Sequence, residues 1–105
     1  MDIASASAGF SAMGSEARLA VLQSLIKAGP DGLPVGDIQK RTKIPASTLA
    51  HHLKFLAAAS LVKQEKLGRV ILNRANFEHL EALASYILEE CCIDQGILES
   101  EARHD

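Results

Sequence analysis

The sequence has no tryptophan, one tyrosine and three phenylalanines in 105 residues, and its apolar content is carried mostly by Ala, Leu and Ile. Residues of that kind favour helices over an all-β fold, so mainly helix with a little sheet is expected. No apolar run approaches the ~18 residues needed to cross a bilayer. Met1 to Ser11 lacks both the basic stretch and the long apolar core of a signal peptide. Those absences point to a cytoplasmic protein with no membrane partner. The only two cysteines, Cys91 and Cys92, are adjacent, which excludes a scaffold stapled by disulfides. Catalytic parts are missing as well: there is no glycine-rich phosphate loop, no nucleophile with an ordered base and no carboxylate pair in an expected cleft, so an enzyme is not expected.

What is present fits a single domain over residues 1–105, large enough to bury one modest core. The net charge of −2 argues weakly against a nucleic-acid partner until the charges are placed along the chain. Between residues 38 and 74 there are eight basic residues (Lys40, Arg41, Lys43, Lys54, Lys63, Lys66, Arg69, Arg74) against Glu65 alone. From 75 to 105 eight acidic residues stand against Arg103. A chain split this way can meet phosphate with its middle and keep its acidic end away, although two ordinary solvated faces would give the same counts.

Residues 1–9 and 94–105 are expected as mobile tails, the first running into a short helix through Phe10 and Met13. Ser15 caps a helix with Leu19, Leu22, Leu25 and Ile26 on one face, and Gly29-Pro30-Asp31-Gly32 stops it. Val35 to Arg41 is a helical turn with Val35 and Ile38 inward. After Thr42-Lys43-Ile44-Pro45 a second helix runs from about Ala46 to Ala59, and the two form a helix-turn-helix. Leu49, Leu53 and Leu56 are its buried stripe, which leaves Ser47, Thr48, His51 and Lys54 on other faces, side chains suited to a major groove. Two strands, Val62 to Leu67 and Val70 to Arg74, turn at Gly68-Arg69 into a wing whose tip carries Lys66 and Arg69. Asn76 caps a last helix in which Phe77, Leu80, Ala84, Ile87 and Cys91 recur at spacings of three and four, with Leu83 and Leu88 beside them. Such a seam is most economically buried against a twofold mate, together with the N-terminal helix, making a homodimer.

The order of elements and four stretches, Glu16-Ala-Arg-Leu-Ala-Val-Leu, Ile44 to Leu56, Ser60-Leu-Val-Lys and Gly68-Arg69, resemble the ArsR/SmtB family of metal- and metalloid-responsive repressors. The resemblance implies a winged helix-turn-helix, mainly α with a small β-hairpin, dimerising through its terminal helices. It also implies release of double-stranded operator DNA when an inducer binds, with DNA contacts from Ser47, Thr48, His51, His52 and Lys54 and, on the wing, Lys66 and Arg69. Three departures stand out. Leu33 to Lys40 contains no thiol, so the founding arsenic site is missing; His79 stands among glutamates without a zinc partner; and Ser60 sits where a helix-ending glycine is usual. A protein-binding winged helix is the rival reading, with Phe55 its one exposed apolar candidate.

Cys91 and Cys92 close the last helix in this reading, Cys91 on the seam and Cys92 at its edge. Two neighbouring thiols make a soft chelate for trivalent arsenic or antimony, and no constitutive cofactor is expected. The count of two sulfurs slightly favours a monosubstituted arsenical over the inorganic species, which bonds best to three, unless a partner chain supplies the third sulfur. Some arsenic-responsive members of the resembled family carry vicinal cysteines here, often with a third thiol beyond; none follows in this chain. Packing alone, or a redox switch slowed by Glu89 and Glu90, are the competing roles. His51 reads as a DNA contact, His52 as a phosphate contact or a packing residue, and His79 and His104 as solvated, with His104 able to complete a metal site.

Overall fold

A computed structural model of the chain describes residues 1–95. Eight elements follow one another: α1 (Ile3–Met13), α2 (Glu16–Ala28), β1 (Leu33–Pro34), α3 (Val35–Thr42), α4 (Ala46–Ala58), β2 (Val62–Leu67), β3 (Val70–Ala75) and α5 (Phe77–Leu88). This is the mainly helical, winged helix-turn-helix architecture expected from the sequence. The core is aliphatic: Val21, Leu22 and Leu25 of α2, Ile38 of α3, Leu49, Leu53 and Leu56 of α4, Leu61, Val62 and Leu83 are all buried. Each fully buried leucine contributes about 1.5–3 kcal/mol, and removing one from so small a core costs more because little can collapse into the gap.

Helix starts are set by side-chain caps. The Ser15 hydroxyl accepts from the Arg18 N–H at 3.3 Å and the Asn76 side-chain Oδ1 from the His79 N–H at 3.3 Å. Asp2 does the same for α1 through the Ser5 N–H at 2.8 Å, and these bonds hold its carboxyl below the usual carboxylate range. Residues 1–9 therefore include the first two turns of α1 where a mobile tail was expected. Ala6 and Gly9 are buried, and a Cβ at Gly9 would come within 2.9 Å of Leu83 Cδ1, so α1 lies close against α5. Most of the second expected tail, with His104, falls outside the described residues.

The sheet has three strands, not two. Leu33 pairs with Asn73 and Pro34 with Leu72, giving the antiparallel order β1-β3-β2. Proline is tolerated there because β1 is an edge. Asn73 is fully buried and satisfied: Nδ2 donates to the Leu33 carbonyl at 3.2 Å, and Oδ1 accepts from Gln64 Nε2 at 2.9 Å. Strands β2 and β3 close at Gly68-Arg69, with positive φ at Gly68 alone, as a type II′ hairpin turn needs.

Two apolar faces differ from the periodic reading. In α2 the buried stripe is Val21, Leu22 and Leu25, while Leu19 and Ile26 stay exposed. In α5 the expected seam divides: Leu83, with half-buried Phe77, Leu80 and Tyr86, packs on the protein's own core, whereas Ala84, Ile87 and Leu88 face solvent. The helix also stops at Leu88, so Cys91 is not on it. Glu89 and Glu90 follow a last turn with no basic residue, and carboxylates at the negative end of a helix dipole oppose its extension. His79 is half-buried with Nε2 enclosed rather than solvated.

Ser60 ends α4 in the left-handed region at φ 64°, within a Schellman pattern: Leu61 N–H bonds to the Leu56 carbonyl at 2.9 Å and Ser60 N–H to the Ala57 carbonyl at 3.0 Å. Ser60→Gly is expected to raise unfolding stability by about 0.5–1 kcal/mol in urea titration, the strain relieved exceeding the entropy added to the unfolded chain. Gly32→Ala is expected to do the reverse by about 2 kcal/mol or more. Its Cβ would sit 2.3 Å from the Asn73 carbonyl oxygen, at a φ of +71°.

Candidate nucleic-acid interface and dithiol

Burial of Leu49, Leu53 and Leu56 fixes the rotation of α4 and turns Ser47, Thr48, His51 and Lys54 to solvent. No carboxylate occurs on this helix. His52 lies at the edge of the buried stripe, half-buried, with Nδ1 enclosed and without a hydrogen-bond partner among the described residues. Its ring is thus partly committed to packing. The turn before α4 is held by Lys43 in the left-handed region at φ 62°, whose N–H bonds to the Gln39 carbonyl at 2.8 Å. Thr42 Oγ1 donates to the Ile38 carbonyl at 2.8 Å and accepts from the Ile44 N–H at 3.4 Å.

Lys66 and Arg69 stand exposed at the wing tip. Arg74, at the wing base, is taken up by structure: it pairs with Glu65 at 2.6 Å and donates to the Pro30 carbonyl at 3.1 Å. That is the only ion pair among the described residues, so Lys40, Arg41, Lys43, Lys54, Lys63, Lys66 and Arg69 keep their charge unpaired. Lys40 and Lys43 also flank a groove of about 470 Å³ that runs along the helix-turn-helix turn beside Pro45. The face assembled from α4, this turn and the wing combines hydrogen-bond donors with cations, the two kinds of group that contacts to base edges and phosphates require.

Two contacts at this face escape the sequence pattern. The Arg18 guanidinium lies 5.0 Å from the centroid of the Phe55 ring, and the Phe55 and His51 rings meet edge to face at 5.5 Å. Contacts of these two kinds are worth about 0.5–1 kcal/mol each at an exposed site. The sequence holds a faint signal for the second, since His51 and Phe55 are four apart on one helix. It holds none for Arg18, which arrives from α2.

Cys91 and Cys92 lie in the turn beyond α5, both exposed, with their sulfurs 3.0 Å apart. The Cys91 N–H bonds to the Leu88 carbonyl at 2.8 Å, and Cys92 adopts φ 63°, which closes the turn on itself. No cluster of three His, Cys, Asp or Glu able to hold a metal occurs among the described residues. Among the described residues the arrangement therefore offers two sulfurs and no third side-chain donor. The hydrogen bond that the Cys92 S–H donates to the Cys91 sulfur holds its proton and pushes the Cys92 thiol above its ordinary range, so Cys92 is a neutral thiol at pH 7 and becomes a thiolate only in more alkaline solution. Alkylation of Cys92 by iodoacetamide, followed by mass spectrometry, is expected to be slower than that of a free-cysteine peptide at pH 7. It is expected to keep accelerating past the pH at which the peptide levels off, and Cys91→Ala, which removes the hydrogen-bond partner, is expected to abolish that difference.

The family described as "Helix-turn-helix domain" matches residues 13–65. Among solved structures the chain is similar to an ArsR-like transcriptional regulator from Rhodococcus sp. RHA1, at 26% identity and a TM-score of 0.74 over 95% of this chain and 91% of that one. Reduced HlyU from Vibrio cholerae N16961 is similar at 26% identity, with a TM-score of 0.66 over 85% and 90% of the two chains. The homodimeric winged helix-turn-helix DNA-binding domain of Mb0332 from Mycobacterium bovis shares the fold, at 21% identity and a TM-score of 0.65 over 85% and 82%. No curated protein matches the chain in sequence.

Proposed function

This chain belongs to the helix-turn-helix domain family, and from that premise we propose that it is a homodimeric repressor that binds operator DNA and releases it when a thiophilic inducer bridges Cys91 and Cys92. The DNA reading is carried by the outward face of α4, which holds Ser47, Thr48, His51 and Lys54 and no carboxylate, and lies between the unpaired cations of the turn and wing. The ArsR-like fold, with similarity across nearly the whole chain, supports it. The exposed Ala84, Ile87 and Leu88 of α5 are the surface for the second copy.

The inducer reading rests on the two exposed sulfurs 3.0 Å apart. Trivalent arsenic or antimony is soft and prefers such donors. The two thiols displace two hydroxyl groups from the arsenical: two S–As bonds form, two As–O bonds break, two waters leave, and arsenic keeps its oxidation state. A monosubstituted arsenical is then fully coordinated, whereas the inorganic species keeps one hydroxyl. The site follows directly on the exposed end of α5, so its closure changes the contact between copies and with it the spacing of the two recognition helices.

Gel retardation of a duplex from the chain's own upstream promoter tests both parts. Wild type is expected to bind at about 10 nM or tighter. It should release the duplex on addition of phenylarsine oxide, and Cys91→Ser/Cys92→Ser should bind equally well and not release. Lys54→Glu and Arg69→Glu should each weaken binding by about tenfold or more while the dimer persists in sedimentation. Tight binding that no arsenical disturbs removes the sensor. Absence of retardation removes the repressor.

A further inference from the structure

Arg18 belongs to α2, yet its guanidinium serves two other helices. Its Nε donates to the Ala12 carbonyl, one of the acceptors that the end of α1 leaves open, and its Nη2 to the Ser11 carbonyl, which also accepts from the Gly14 N–H at 3.2 Å. α1 has no basic residue in its own last turn, so Arg18 also supplies the positive charge that a helix C-terminus favours. The same guanidinium lies over the Phe55 ring at 5.0 Å. Phe55 stands one turn beyond His51 and leans back onto it, as helical side chains do. The two rings meet at 5.5 Å with 68° between their planes. Phe55 is 49% exposed on a helix whose other outward residues are polar or small, so core packing does not account for it.

We infer that Arg18 is a positioning residue for base reading: by bracing Phe55 it holds the His51 imidazole in the orientation that meets a base edge. This rests on the DNA-binding reading above. An imidazole on an open helix face samples several rotamers, and ordering it during binding subtracts from whatever its base contact adds. A ring already held against Phe55 avoids that loss. Phosphate contacts from Lys54, Lys66 and Arg69 do not depend on the His51 rotamer, so the relay acts on discrimination between sequences and leaves general affinity alone. Because the brace is anchored on the end of α1, a shift of that helix also reaches the base-reading ring.

The test uses the full-length dimer and a duplex that wild type selects from a random pool, compared with a scrambled duplex of equal length and composition. Phe55→Leu and Arg18→Gln are each expected to lower the ratio of selected to scrambled affinity by about fivefold. Scrambled-duplex affinity and the salt dependence of binding should stay as in wild type, and Phe55→Tyr should keep the ratio. In a His51→Ala background neither substitution should lower it further. In the free protein, the His51 ring-proton resonances displaced by the Phe55 ring should return toward unstacked positions in Arg18→Gln. Equal losses on both duplexes, the same loss without His51, or unmoved His51 resonances in Arg18→Gln would overturn the inference. Phe55→Leu alters an exposed side chain and keeps the test open should Arg18→Gln loosen α1. A wild type that enriches no duplex fails the DNA-binding reading itself, and this inference with it.

Discussion

Everything the proposed interface does depends on one packing constraint, the burial of Leu49, Leu53 and Leu56 against the α2 and α3 side chains Val21, Leu22, Leu25 and Ile38. A helix with three leucines on one stripe has one rotation that buries them all, and that rotation points Ser47, Thr48, His51 and Lys54 outward together. The turn before α4 and the Schellman end after it set where the helix begins and stops. With no carboxylate on α4, its one charge of fixed sign, Lys54, goes uncontested. Packing thus places the chemistry, and the basic turn and wing extend it to either side.

The periodic elements are legible from sequence because each rests on a local rule. The leucine stripe follows from helical spacing, the Ser15 and Asn76 caps from their side chains, and the wing from glycine between two short strands. What is not legible rests on contacts between distant residues. β1 is two residues long and ends in proline, so only its pairing with Asn73 and Leu72 makes it a strand. α1 is built from small residues that look like a loose start, and its order comes from the Asp2 cap and the close approach of Gly9 to Leu83. Arg18 is invisible for the same reason, since nothing near it in sequence announces Phe55 or the Ala12 carbonyl.

The last helix shows how a correct pattern can carry a wrong boundary. Its apolar repeat continues to Cys91, but the helix ends at Leu88, and its face divides between the core and solvent. That earlier end matters for the chemistry. Residues in the turn are released from helical geometry, and both sulfurs come to lie exposed and 3.0 Å apart, where a helical Cys91 would have faced the seam. The dithiol reading is therefore better supported by the turn than by the helix that the repeat suggests, while the resemblance that prompted it concerns only the position of the pair.

The central claim is that the α4 face of each copy enters a major groove, and hydroxyl-radical footprinting on the upstream promoter addresses it most directly. A homodimer using this face predicts two protected half-sites, related by a twofold axis, with centres about one helical turn or a whole multiple of it apart. Protection should collapse at both half-sites when Ser47 and His51 are replaced by alanine. A uniform reduction in cleavage along the duplex, or a footprint indifferent to those replacements, would contradict the account.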